Sequence, residues 1–322
     1  MPAAPLGLDD VRRARETIAG RLHRTPLLSS RTLSERAGAT VLLKAELLQR
    51  TGSFKPRGVL NKLASLSPEE KARGLISISA GNHAQALAYA AAVEGIDALV
   101  VMWETASPMK VEAAREYGAS IDTSAPDIPA AFERLDRLIE ETGRTLVHPY
   151  DDPVVMAGQG TVGLEIVEDA PGVDTVIVPV GGGGLVSGIA AAVKGARPEA
   201  RVVAVEPELS AALHESLKVG RPVTVEPRSI ADGLNGPYAG PRCVEACTAL
   251  GVESVLVTED DLLEGFRFMY ARTKLACEVA GAAPAAALLA GKIDVEPGQT
   301  VAAVVSGGNV ALETAAAILA VR

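Results

Sequence analysis

Aromatic side chains are scarce, with one Trp, five Tyr and four Phe in 322 residues. Alanine and glycine are abundant instead, a composition suited to helices packed tightly against a sheet whose loops come close to something. Basic residues are in deficit too. The 31 Lys and Arg against 40 Asp and Glu give a formal charge of -9, which repels phosphate backbones and anionic lipid surfaces and excludes nucleic acid and membrane as partners. Only three cysteines occur, Cys243, Cys247 and Cys277. They cannot all pair with one another and lack the further ligands of a zinc site, so they read as buried, reduced thiols. Apart from Ala-rich pieces, no apolar run reaches eighteen residues without a charge or turn signal, and "MPAAPLGLDD" carries neither a basic nor an apolar leader segment. The expectation is a soluble cytoplasmic protein. No repeat of fixed period and no low-complexity linker is present.

From residue 74 onward apolar runs alternate with helical patterns: "LISIS", "HAQALAYAAAVEG", "ALVVMW", "SPMKVEAAREYG", "ASIDT", a helix over 129–142, and "TLVHP". Such alternation implies parallel βαβ units. The second half repeats the grammar with "TVIVPV", "RVVAVE", "SVLVT" and "TVAAVVS", each followed by helical sequence. Residues 149–174 receive no element in this reading. The first seventy residues, with a helix over 8–20, strands at "TPLLSS" and "TVLLKAE" and a helix after Lys55, are too few for a domain. They are expected to join the second half, making a discontinuous large domain of 1–70 and 149–322 with a small α/β domain of 71–148 inserted.

In open parallel sheets ligands bind beyond the carboxyl ends of the strands. Three post-strand loops are unusual: "SAGNHA" (79–84), "GGGGL" (181–185) and "SGGN" (306–309). Four consecutive glycines before a helix let backbone N–H groups converge on an anion, with phosphate the natural guest. The loop is no P-loop, and its nearest fit to G-x-G-x-x-G fails at Ser187. Glu206 ends the next strand where a dinucleotide fold places its ribose-binding acid, so a nicotinamide enzyme is a rival on this element alone. In "SAGNH" the donors Ser79, Asn82 and His83 sit at one helix start, suited to a carboxylate, although plain capping explains them as well. In "TGSFKPRG" a proline opens a helix, which places Lys55 before it in an extended conformation, while Phe54 offers an apolar wall that lowers the amine's proton affinity. A solvated lysine at a helix start is the bland alternative.

Taken together, "GSFKPRG", "SAGNHAQA", "PVGGGGLVSG", "KLACEVAGA" and "VVSGGN" resemble the fold type II pyridoxal-phosphate enzymes, in the threonine/serine dehydratase branch that includes serine racemase. The resemblance spans essentially the full length, with the motifs in the family's order. It implies a tryptophan synthase β-like α/β fold, two open α/β domains with pyridoxal 5'-phosphate between them. It also implies a homodimer or homotetramer. Carried over by position, Lys55 would form a Schiff base with the cofactor and remove the Cα proton, and Phe54 would pack on the ring. Asn82 would bond the ring's 3-oxygen, Gly181, Gly182, Gly183, Gly184 and Leu185 would hold the phosphate, and Ser306 would meet the pyridine nitrogen. Glu278 would lie near the cofactor and the "ADGLN" loop (231–235) would line the pocket. Ser79, the backbone of Ala80 and Gly81, and His83 would bind the substrate carboxylate.

Departures from the family pattern refine the expectation. Racemases of this branch carry a serine where this chain has Ala80, and a methyl group cannot carry a proton, so little racemase activity is expected. Relatives that bind a divalent cation pair a strand-end glutamate with an aspartate, but Ala212 stands in the second place, so no metal is assigned. Arg50 and Val279 replace family prolines, which leaves the preferred substrate side chain open. The chain ends at Arg322 without the C-terminal regulatory domain of isoleucine-pathway relatives. The reaction implied is dehydration and deamination of L-threonine or L-serine to 2-oxobutanoate or pyruvate plus ammonia. The alternatives are a dehydratase for 3-hydroxyaspartate or phenylserine, a serine racemase, and a noncatalytic ligand-binding protein.

Overall fold

A computed structural model describes residues 6–320, so the first half of the N-terminal segment quoted above lies outside it. Ten strands form two sheets: β1 (Leu27–Ser29), β2 (Thr40–Ala45), β3 (Leu75–Ile78), β4 (Ala98–Trp103), β5 (Ser120–Ala125), β6 (Thr145–Leu146), β7 (Thr175–Pro179), β8 (Arg201–Pro207), β9 (Glu253–Val257) and β10 (Thr300–Val305). The larger sheet has the order β1-β2-β10-β7-β8-β9 and the smaller β5-β4-β3-β6. Every pairing is parallel except that of the edge strand β1 with β2. Strands buried on both faces read as unbroken apolar runs rather than alternating ones. "TVIVP" in β7 is buried throughout, and so are five of the six residues of β10.

The N-terminal strand β2 lies beside the last strand β10, in register from Thr40 opposite Thr300 to Ala45 opposite Val305. That pairing fixes the segment after β2, including Lys55, against the loop that leaves β10. The helix Pro56–Ala64 then packs on Pro153–Asp169, a fully formed helix where the sequence suggests no element. Its glycines explain both facts, because Gly lowers helix propensity yet permits backbone contact. A Cβ on Gly158 would lie 2.5 Å from the Arg57 carbonyl oxygen, and one on Gly160 would lie 2.6 Å from that of Gly188. Gly188 belongs to the helix Gly184–Ala196, and a Cβ there would reach within 2.1 Å of the Met156 carbonyl. Three helices therefore meet backbone to backbone beneath the larger sheet.

Among the described residues no helix is long and apolar enough to cross a membrane. The three cysteines are free and buried, as expected from their spacing.

Candidate active site

The loops that leave β3, β7 and β10 open on one cavity of about 480 Å³, whose walls carry Lys55, Ser79 to His83, Gly181 to Leu185, Glu278 and Ser306. The segment before the lysine is stitched to the last of these loops. The Phe54 N–H donates to the Ser306 carbonyl at 3.1 Å and the Gly308 N–H to that of Gly52 at 2.9 Å, while Ser53 forms a bridge with Gly307. The tight path requires left-handed backbone at Gly52 (φ 70°) and also at Thr51 (φ 60°). For a residue with a Cβ that region costs about 1–2 kcal/mol, so the contacts on both sides must hold Thr51 there.

Lys55 does not have the extended conformation expected before a proline. Its φ of −54° and ψ of −37° are helical. Proline only disfavours that region for its predecessor, and here the Lys55 carbonyl accepts from the Val59 N–H at 3.3 Å, so the first helical turn includes it. The helical turn aims the side chain into the cavity, where Nζ donates to the Pro149 carbonyl at 2.8 Å and lies 5.1 Å from the centre of the Phe54 ring. Burial lowers the amine from 10.5 to about 8, partly opposed by Cys243 and Glu278.

Two residues on, Arg57 anchors the helix in a buried ionic cluster. Its guanidinium donates to both oxygens of Glu46, at 2.8 Å each, and to Glu165 at 2.6 and 3.0 Å; Lys44 Nζ donates to Glu165 at 2.6 Å. Burial works against the charge of Arg57, yet the two glutamates hold its pKa above the ordinary value. Burial likewise pushes Glu165 up, but Arg57 and Lys44 prevail and keep it below the usual carboxylate range. Two cations face two carboxylates with fork-like geometry, which compensates the desolvation of each.

The glycine loop has no room for side chains. A Cβ on Gly182 would sit 2.4 Å from the Tyr150 ring, one on Gly183 would sit 2.8 Å from Cys243 Cβ, and one on Gly184 would sit 2.8 Å from the Tyr150 carbonyl oxygen. Backbone N–H groups of the first turn of Gly184–Ala196 lack intrahelical acceptors and face the cavity beside this cradle. A phosphate fits that donor set, an aldehyde fits the neutral-leaning Lys55 amine, and a flat ring fits the space between them against Phe54. The residues present thus fit pyridoxal phosphate.

On the side of the smaller sheet, Asn82 opens the helix Asn82–Glu94 and donates through Nδ2 to Glu278 Oε1 at 2.7 Å. Burial raises Glu278 to about 7, with Asp232 adding to the effect and Lys110 and Asn82 opposing it. Ser79 Oγ accepts from the Gly81 N–H at 3.2 Å, which shapes the loop, and Ala80 presents only its methyl group. His83 was expected to meet a carboxylate, but its Nε2 lies 3.0 Å from both Ser77 Oγ and the Val147 carbonyl. The Ser77 hydroxyl already donates to Val147 O at 2.6 Å, so Nε2 carries the proton. Burial, then the charge of Lys55, lowers the ring to about 3. A neutral ring with a lone pair on Nδ1 cannot donate to an anion, so the geometry makes His83 a brace between β3 and Val147.

Glu206 also has a task other than ligand binding. Its oxygens accept from the N–H groups of Leu213 and His214, at 2.8 and 2.7 Å, and so hold the start of the helix Ala212–Val219. The cavity further contains Trp103, Phe132, Tyr150 and Gln159, as well as Lys110, which forms an ion pair with Asp232. None of these is visible in the sequence as part of a site. The lone aromatics lack a motif, and only the glycines facing Tyr150 hint that a large group presses on that loop.

The pyridoxal-phosphate dependent enzyme family matches residues 18–307. The L-threonine ammonia-lyase of Thermotoga maritima is 43% identical over 94% of this chain and 75% of its own length. Among solved structures, maize serine racemase aligns with a TM-score of 0.92 at 35% identity, covering 97% of this chain and 96% of its own. The serine racemase of Dictyostelium discoideum aligns with a TM-score of 0.90 at 36% identity, over 96% and 100%. A bacterial-type relative in the same set, a threonine deaminase, aligns with a TM-score of 0.88 at 43% identity, over 95% and 99%.

Proposed function

Because the chain belongs to the pyridoxal-phosphate dependent enzymes, with the fold type II architecture, we propose that it is a lyase. In this reading it dehydrates and deaminates L-threonine, and L-serine as a second substrate, to the 2-oxo acid and ammonia. When bound, the cofactor supplies an electron sink that acidifies the amino acid's Cα–H and lets the β-hydroxyl leave. Lys55 is the observation that carries the reading, a buried amine with a pKa near 8 facing a phosphate-sized glycine cradle across one cavity.

Lys55 bonds the cofactor at rest and, once released as a neutral amine, takes the Cα proton; an amine titrating near working pH is well suited to both tasks. Gly181 to Leu185 hold the phosphate and Phe54 packs on the ring. Asn82 donates toward the ring's 3-oxygen, and Glu278 supports Asn82. Ser306 is too weak an acid to protonate the pyridine nitrogen, which favours prompt loss of the β-hydroxyl over a long-lived carbanion. Ser79 and the backbone of Ala80 and Gly81, at a helix N-terminus, bind the substrate carboxylate. Ala80 argues against racemisation, since the second face of Cα meets a methyl group there. The same reading takes residues 71–148 as a small domain inserted in a large one, and the enzyme as a cytoplasmic homodimer or homotetramer.

Supplying L-threonine to the loaded enzyme and measuring 2-oxobutanoate and ammonia tests the proposal, with Lys55→Ala as control and chiral analysis of residual serine as a check on racemisation. Equal yields of the two products, abolished in the variant, are expected. A yellow protein that releases neither product from threonine or serine refutes the dehydratase reading, and D-serine formation refutes the argument from Ala80.

A further inference from the structure

Asn309 closes the "SGGN" loop, and the chemistry above assigns it no task. Its Nδ2 donates to the Thr51 carbonyl at 2.7 Å and to Asn82 Oδ1 at 2.8 Å, which accounts for both amide hydrogens. Its place is closely built. A Cβ on Gly52 would lie 2.5 Å from Asn309 Oδ1, and the left-handed turn at Thr51 and Gly52 presents the carbonyl that Asn309 grips. The consequence falls on Asn82. With Oδ1 held by a donor, its Nδ2 must turn the other way, where one hydrogen reaches Glu278 Oε1 at 2.7 Å. The second is then free for the cavity that Asn82 and Glu278 share.

An amide can present either end to a ligand, and the two ends have opposite effects. A donor stabilises an anionic oxygen, whereas a carbonyl repels it. We propose that Asn309 is a positioning residue that sets the Asn82 amide so that its NH2 group, and not its carbonyl, faces the cofactor's 3-oxygen and keeps that oxygen ionised. This deepens the reading of the site and rests on Asn82 meeting the 3-oxygen.

The decisive readout is the pH titration of the bound cofactor's visible absorption, which follows ionisation of the ring system independently of turnover. Asn309→Asp, which places an acceptor against two acceptors, and Asn309→Ala are compared with Asn82→Ala and with the Asn82→Ala/Asn309→Ala double variant. Cofactor stoichiometry and the thermal midpoint serve as controls for folding. Loss of a donor to an anion raises the spectral transition, by about one pH unit for a hydrogen bond of ordinary strength. Both Asn309 variants are expected to shift it upward, as Asn82→Ala does, and the double variant to shift it no further than Asn82→Ala alone. Asn309→Ser replaces either variant that fails to bind the cofactor. An unmoved transition in the Asn309 variants overturns the proposal, and so does an equal further shift on the Asn82→Ala background, which would mean that Asn309 acts without Asn82. If Asn82→Ala itself leaves the transition in place, the role of Asn82 fails first and the proposal falls with it.

Discussion

Replacing Arg57 by methionine would test whether the buried ionic cluster sets the stability of the lysine's support. In the native cluster two cations, Arg57 and Lys44, face Glu46 and Glu165. The variant keeps both carboxylates but only Lys44, which is bonded to Glu165, so Glu46 retains Thr25 Oγ1 as its remaining side-chain donor. Removing one member of a buried pair costs about 3–5 kcal/mol because a desolvated charge is left behind, a large part of a total stability of about 5–15 kcal/mol. The cost must depend on pH. An uncompensated buried carboxylate binds its proton more tightly in the folded than in the unfolded chain, so the variant's stability falls as pH rises between the two proton affinities. In the native protein Glu165 lies below the usual range, so its contribution persists above that range and is lost only as pH falls through the lowered value. Native stability from this group is therefore flat between about pH 6 and 8, while the variant gains up to about 1.4 kcal/mol for each unit of acidification. Urea unfolding followed by circular dichroism at about pH 8 and about pH 6 measures both. A deficit equal at the two pH values, or below about 1 kcal/mol at the higher one, would refute the argument that the cluster is electrostatically closed by Arg57.

Two more outcomes follow from the same geometry. The cofactor-free protein should take up pyridoxal phosphate at a rate that rises with pH through about 8, where the Lys55 amine loses its proton, rather than through 10.5; stopped-flow absorbance gives the profile, and a midpoint at the ordinary lysine value would contradict the desolvated amine. Gly182→Ala should weaken cofactor binding by about five- to hundredfold, the equivalent of about 1–3 kcal/mol of overpacking against Tyr150. Equilibrium dialysis reads that loss, with unchanged far-ultraviolet circular dichroism as the sign that the fold survives.

The parallel sheets and the three loops were legible because their signals are local: short apolar runs with glycines or a cluster of donors directly after them. "TVIVPV" followed by four glycines needs no knowledge of distant chain to be read as strand, turn and helix start. The helix Pro153–Asp169 was missed for the opposite reason. Gly158, Gly160 and Gly163 weaken its local pattern, and what they serve is contact with Arg57, Gly188 and Ile189. The helical backbone of Lys55 was misread because the pre-proline rule is a bias, and the hydrogen bond from Val59 outweighs it. The role of His83 could not be inferred without knowing that Val147 lies 64 positions away in sequence and 3.0 Å away in space. The pairing of Arg57 with Glu165, 108 residues apart, is equally invisible locally.

The glycine contacts under the larger sheet carry one further implication. Side chains in a core hop between rotamers even when well packed, so a helix resting on leucines rests on parts that have alternatives. The Lys55 helix touches its neighbour through the main chain at Gly58 and Gly158, and that neighbour touches the next through Gly160 and Gly188, where no rotamer intervenes. The reactive amine therefore stands on a fixed datum with almost no thermal play. Whatever accommodation substrates of different size demand must be made by the opposite wall of the cavity, where Trp103, Phe132 and Lys110 reach in from the smaller sheet and its helices.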